Sequence, residues 1–210
     1  MIKKYSSIYW ILISIIVLIV IVGSIKLLDA KIAVIVMHFL QSFHKFHKIT
    51  EDIPDLLVYL VSLGTIIMWS IYLYRSHEKI HDLKMKFLKL AATTLPTAFL
   101  LKLFFQFMFG RTHTRLFVQA NQPLRFNWFH GIGIGCFPSG HMTVFTAFGV
   151  AIWIYYPHYR RPVLITLLIL GAALIATDYH FLSDVIAGAY LGVIITYFLW
   201  NGFKRKDDKS

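Results

Sequence analysis

The sequence predicts an all-α, polytopic membrane bundle of six transmembrane helices, and three observations predict it. The 210 residues are 58% hydrophobic and only 15% charged, well below the charged share of an ordinary soluble domain. Mean hydropathy is +0.66. Apolar runs without charge recur along the chain, beginning with Ile8 to Ile25. A run of that length matches the roughly 18–20 residues that cross a bilayer as a helix.

The expected spans are Ile8–Leu28, Leu56–Leu73, Phe87–Phe109, Ser139–Tyr156, Pro162–Thr177 and Ser183–Trp200. Each must be helical, because the bilayer core offers no water to pair with an open backbone. The first is long for a secretory signal, and no small-x-small cleavage site follows it. The fifth is short, which fits a helix that ends in protein rather than at a lipid face. Between the first two spans, Ile32, Ile35, Val36, Phe39, Leu40, Phe43 and Phe46 recur at helical spacing, while His38, Gln41, His44, Lys45 and Lys48 face away. That pattern predicts an amphipathic helix, lying in the membrane interface or packed on the bundle as a connector. The whole chain, 1–210, reads as a single integral-membrane domain with a motif-bearing core at about 87–200.

The formal charge of +11 does not indicate nucleic acid as a partner, because the cations are spread between apolar segments rather than gathered on a basic-aromatic surface. A single cysteine, Cys136, excludes an internal disulfide and a thiolate metal cage. No repeat of 20–50 residues is present. With the N-terminus cytoplasmic, 13 of the 21 Lys and Arg residues fall on the cytoplasmic side. The positive-inside bias therefore predicts both termini inside.

In that topology the loop Gly110–Pro138 and the loop Asp178–Leu182 share the outer face. The first carries Arg111, Arg115 and Arg125 and ends in Pro-Ser-Gly-His. The second leads from His180 into Asp184. A helix N-terminus presents unpaired N–H groups and a partial positive charge, so it binds anions, phosphate above all. Pro138 fits at a helix entry, Ser139 can cap, and Gly140 lets a ligand approach the backbone closely. His141 then stands in the first turn, beside any bound anion. Asp184, four residues beyond His180, can accept from one ring nitrogen and leave the other as a nucleophile. Read alone, a His-x-x-x-Asp pair also fits a structural contact or a metal site, and a Pro-Ser-Gly turn also fits a plain helix start.

"PSGH" at 138–141, "HFLSDVIAG" at 180–188 and "FGR" at 109–111 together resemble the PAP2 family, the type 2 phosphatidic acid phosphatases, related in fold to vanadium haloperoxidases. The resemblance runs from about Lys102 to Gly188. It implies that His180 takes the phosphoryl group, that Asp184 orients it, and that His141 protonates the leaving group. It implies that Ser139, Gly140 and Arg111 hold the phosphate. Two departures are visible. The first motif is usually Lys-x6-Arg-Pro, whereas here Lys102 precedes Arg111 by nine and Thr112 stands in place of proline; lying one turn back on the same helix face, Lys102 is still expected to reach the phosphate. Six residues before His180, where the family has arginine, this chain has Leu174. Arg115, Arg125 or His113 is then expected to replace that charge; Arg115, four residues past Arg111, is favoured.

The resemblance implies a metal-independent phosphatase with no cofactor. The protein is expected to be multi-pass in a bacterial inner membrane, with its active site facing the periplasm. The substrate is expected to be a lipid phosphate: undecaprenyl pyrophosphate, phosphatidylglycerol phosphate, phosphatidic acid or a lipid A phosphate. The same residues also serve a lipid-to-lipid phosphotransferase, and Leu174 leaves open a member that binds lipid phosphate without turnover.

Overall fold

The computed structural model describes residues 7–41, 53–78, 82–130 and 135–207. The helices are α1 (Ser7–Leu27), α2 (Asp29–Gln41), α3 (Ile53–His77), α4 (Leu83–Phe109), α5 (Thr114–Gln119), α6 (Gly140–Tyr155), α7 (Arg160–Ala176) and α8 (Leu182–Asp207), with a 3₁₀ turn at Pro157–Tyr159. Among the described residues there is no strand; a single bridge joins Arg111 to Phe126.

Helices α6 and α8 form the centre, with α4 against both, α3 against α4, α1 against α8 and α7 against α6. The α6–α8 approach is written in small residues. A Cβ at Gly188 would lie 2.6 Å from the Ser139 carbonyl, and one at Gly192 would lie 2.5 Å from that of Thr143. The spacing is Gly-x-x-x-Gly, which lets two membrane helices close backbone to backbone. One turn on, the Thr196 hydroxyl donates to the Ala147 carbonyl at 2.9 Å. Helix packing in lipid relies on such contacts, because lipid tails are as apolar as the side chains they would replace. Outward, α1 exposes Ile8, Ile11, Ile15 and Ile19, and α7 exposes Leu164, Ile165, Leu168 and Ile169. These are belts suited to hydrocarbon rather than water.

Among the described residues, four segments are long and apolar enough to cross a membrane: Ile8–Leu27, Leu83–Phe109, Pro157–Ala176 and Leu182–Arg205. The other two expected spans fall on helices α3 and α6. Helix α6 has 16 residues, or about 24 Å at 1.5 Å per residue, short of the roughly 30 Å hydrocarbon core. Its first turn is instead buried in protein. The expected amphipathic helix begins as α2; Phe43, His44, Lys45, Phe46 and Lys48 lie outside the described residues. Within α2, Ile35 and Phe39 are exposed while Asp29 and Ala33 are buried. The helix therefore turns its first residue, a carboxylate, into the bundle.

Local signals place the ends. Asp82 caps α4 by accepting from Met85 N at 2.9 Å and from Arg75 at 2.7 Å, which closes the α3–α4 turn. Gly110 ends α4 with φ 51, the left-handed conformation that glycine adopts without strain. Its N–H returns to the Gln106 carbonyl at 3.0 Å. The loop after it folds back on α4, Asn127 N bonding Gly110 O at 3.1 Å and Phe129 N bonding Met108 O at 2.9 Å.

Candidate active site

Ser139 caps α6, its hydroxyl accepting from Met142 N at 3.3 Å. Its own N–H donates to the Asp184 carbonyl at 3.0 Å. The Pro-Ser-Gly-His turn is thereby stapled through backbone to the start of α8. There Asp184 stands three residues past Phe181 and accepts from Phe181 N at 3.1 Å, the returning half of a capping box. His180 lies in the turn just before α8. Its N–H is bonded to Leu174 O at 3.1 Å, and its Nδ1 faces Asp184 Oδ2 at 3.5 Å. The Nδ1 side is thus given to the carboxylate, leaving Nε2 as the other ring nitrogen.

Tyr179 is the hub of the cluster. Its ring centroid lies 5.2 Å from that of His180, 5.4 Å from His141 and 5.7 Å from His113. The His141 and His180 rings are 6.4 Å apart, and the Arg115 guanidinium lies 5.2 Å from the Tyr179 ring centroid. From α4, Lys102 arrives beside the turn: a Cβ at Gly140 would sit 2.9 Å from Lys102 Cδ and 3.1 Å from Nζ. Gln106, one turn on, donates to the Pro138 carbonyl at 3.3 Å. The nine-residue offset from Arg111 therefore does not remove Lys102 from the site.

The structure thus brings Lys102, Arg115, Ser139, Gly140, His141, His180 and Asp184 together. Arg111 is also there, but beneath them. It is fully buried; one terminal nitrogen donates to Asp184 Oδ1 and to Ser183 Oγ at 2.6 Å. The other donates to Asp29 Oδ2 at 2.6 Å. The expected phosphate arginine thus has both terminal nitrogens on protein groups. Leu174 is buried against Met142, Tyr179 and Val185, so an apolar contact occupies the place where the family has a cation.

Burial sets the charge states around this centre. Arg111 is pulled down by burial but raised by Asp184 and Asp29, with a net rise; it stays cationic. His113 is lowered to about 4 by burial, then by His180 and Arg115. It is therefore neutral at pH 7, and its Nδ1 accepts from Arg115 N at 3.3 Å. The Cys136 thiol is pushed well up by burial and by Asp184. Asp178 is raised to about 6 by burial, partly offset by Arg115.

Cys136, His180 and Asp184 offer donor atoms within 4.8 Å of one another, as a metal site would. The donor chemistry argues against that use: the thiol is held protonated, and Asp184 already neutralises a guanidinium. Asp29, Cys136, Ser183 and Tyr179 were not picked out from the sequence. For Asp29 a signal exists, since it is a lone carboxylate directly after an apolar span and needs a buried partner.

The model of the PAP2 superfamily matches residues 91–208, more than half of the chain. The chain belongs to the PAP2 superfamily, and with it comes the coarse assignment of a membrane phosphatase. No match was found among curated proteins or among solved structures.

Proposed function

We propose that the protein is a lipid phosphate phosphatase working at the outer, periplasmic face through a phosphohistidine. The observation that carries this reading is the grouping of His180, backed by Asp184, with His141, Lys102 and Arg115 around one helix N-terminus. His180 Nε2 attacks phosphorus in line as the bond to the leaving oxygen breaks, and His141 gives that oxygen its proton. Water, deprotonated by His141, then displaces His180 and releases phosphate. Lys102, Arg115 and the N-terminal amides of α6 stabilise charge on the non-bridging oxygens. The protein's own cations supply that charge, so no metal or other cofactor is needed. Candidate substrates are undecaprenyl pyrophosphate, phosphatidylglycerol phosphate, phosphatidic acid and lipid A phosphates, bound from the membrane. The periplasmic placement of the site, with cytoplasmic termini in an inner membrane, rests on the distribution of Lys and Arg.

Leu174 favours a second reading, a member that holds lipid phosphate without turnover. Phosphate release by purified protein against that lipid panel separates the two. His180→Ala is expected to abolish release, by several orders of magnitude for a lost covalent nucleophile. Arg115→Ala is expected to lower kcat by about 10-fold or more, the scale of one lost charge-stabilising donor. Wild-type protein that releases no phosphate from any member of the panel overturns the phosphatase reading.

A further inference from the structure

We infer that Asp29 is a positioning residue for this reaction, acting through Arg111 on Asp184 and thence on His180; the inference rests on the proposed phosphatase reading. Asp29 lies outside residues 91–208, the stretch that matches the family. It opens α2 and is fully buried. Its Oδ2 accepts from Arg111 at 2.6 Å and from the Ser183 hydroxyl, and its Oδ1 accepts from Ser183 N at 3.1 Å. Arg111 therefore stands between two buried carboxylates, Asp29 and Asp184. Ser183, next to Asp184 in sequence, is held from the Asp29 side.

The charge count gives this arrangement a consequence. Arg111 with Asp184 alone would be neutral, and the guanidinium would draw the Asp184 carboxylate's field away from His180. With Asp29 added, the trio carries one net negative charge. When His180 becomes bonded to phosphorus its ring turns cationic, and the trio then has a charge to offset it. All three side chains are buried, so such fields are weakly screened. Asp29 also anchors the N–H of Ser183 and so the first turn of α8, which carries Asp184.

The other charged and titratable groups around His180 are Lys102 from α4, His113 before α5, Arg115 from α5, Cys136 before α6, His141 from α6, and Asp178 and Tyr179 from the turn before α8. Asp29 itself bonds Arg111 and Ser183. Its replacement therefore changes one charge and leaves that set in place.

The test uses full-length protein in detergent or proteoliposomes. Asp29→Asn keeps the shape and an acceptor but removes the charge. It is expected to lower kcat by about 10–100-fold, the usual scale for a partner one step behind a reacting group, with KM nearly unchanged. The acidic limb of kcat/KM should move to lower pH, because one negative charge behind the Asp184–His180 pair is gone. NMR of ring-labelled histidine, with His180 assigned by its loss in His180→Ala, reads the same displacement without turnover. Asp29→Asn combined with Arg111→Gln removes one charge of each sign and leaves Asp184 alone. That double variant should return the limb and the ring titration toward the wild-type position and recover part of kcat, a non-additive rescue. The single variant keeps Arg111 paired with Asp184 and so holds balanced buried charges, whereas the double variant leaves Asp184 as an unpaired buried carboxylate; the ring titration of Asp29→Asn therefore carries the test should the double variant not fold.

A purely structural Asp29 predicts a double variant no better than the single one, and that result overturns the inference. So does an unmoved His180 titration in Asp29→Asn. Absence of phosphate release by the wild type defeats the phosphatase reading instead, while the NMR displacement still decides Asp29.

Discussion

Gly140→Ala should separate activity from folding. An added Cβ would sit 2.9 Å from Lys102 Cδ, 3.2 Å from Cε and 3.1 Å from Nζ. Ordinary carbon contacts lie at about 3.5–4.0 Å, so Cδ must withdraw by roughly 0.6–1.1 Å. The obstructed group is the far end of a flexible side chain, and the backbone at Gly140 is helical. Stability should therefore hold or rise slightly, by about 0.4–1 kcal/mol, since alanine narrows the unfolded ensemble. The ammonium, however, leaves its place beside the proposed phosphate seat. A hydrogen bond to a charged group contributes about 1.5–3 kcal/mol, which corresponds to a fall of about 10- to 150-fold in kcat/KM. The assay is steady-state phosphate release from a detergent-dispersed lipid phosphate, with thermal unfolding measured on the same samples. In a Lys102→Met background the same Gly140→Ala change should add little, because the displaced charge is already missing. A Gly140→Ala enzyme within about twofold of the parent kcat/KM, or an undiminished loss in the Lys102→Met background, would refute the reasoning.

Three further predictions follow from other parts of the molecule. A Cβ at Gly192 would meet backbone, 2.5 Å from Thr143 O and 2.9 Å from Ala147 N. Gly192→Ala should therefore destabilise by about 3 kcal/mol or more, seen as loss of a monodisperse, cooperatively unfolding protein; an unchanged melting temperature would contradict the close α6–α8 packing. Asp178 has its folded pKa raised to about 6 against about 3.9 unfolded. The folded state holds that proton more tightly, so stability is lost as pH rises from about 4 to about 6. Asp178→Asn should grow more stable relative to wild type across that window. Comparing the two proteins at each pH isolates Asp178 from His113, whose lowered value runs the opposite way; a constant gap in melting temperature would contradict it. For sidedness, cysteines at the exposed positions Asn121 and Asn127 should react with an impermeant thiol reagent from outside, and one at the exposed His158 should not; the reverse pattern would invert the topology.

Much of this architecture was readable in the chain because lipid leaves few choices. Apolar runs must become helices, and the Pro-Ser-Gly-His and His-x-x-x-Asp spacings act within single turns. Ser139 as a cap, His180 facing Asp184 and Gly110 ending α4 are all local events, settled by residues a few positions apart. The Lys102 offset was readable as a departure that a long side chain on the same helix face could span, but its actual reach depends on how far α4 stands from α6. That separation follows from side chains on both helices and from a missing Cβ at Gly140.

The sequence by itself determined the class of protein: a hydrophobic helical bundle with a Pro-Ser-Gly-His helix start and two histidines at one end. Its composition excluded a soluble core, and its motif spacing placed the histidines beside a helix N-terminus. Only the tertiary structure decided what Arg111 touches. From the chain it reads as a phosphate ligand; in the fold it is buried between Asp29 and Asp184, 82 and 73 residues away. No local pattern encodes that trio, because ion pairing depends on distance in space. A buried guanidinium needs carboxylates wherever the packing of α2 and α8 happens to bring them.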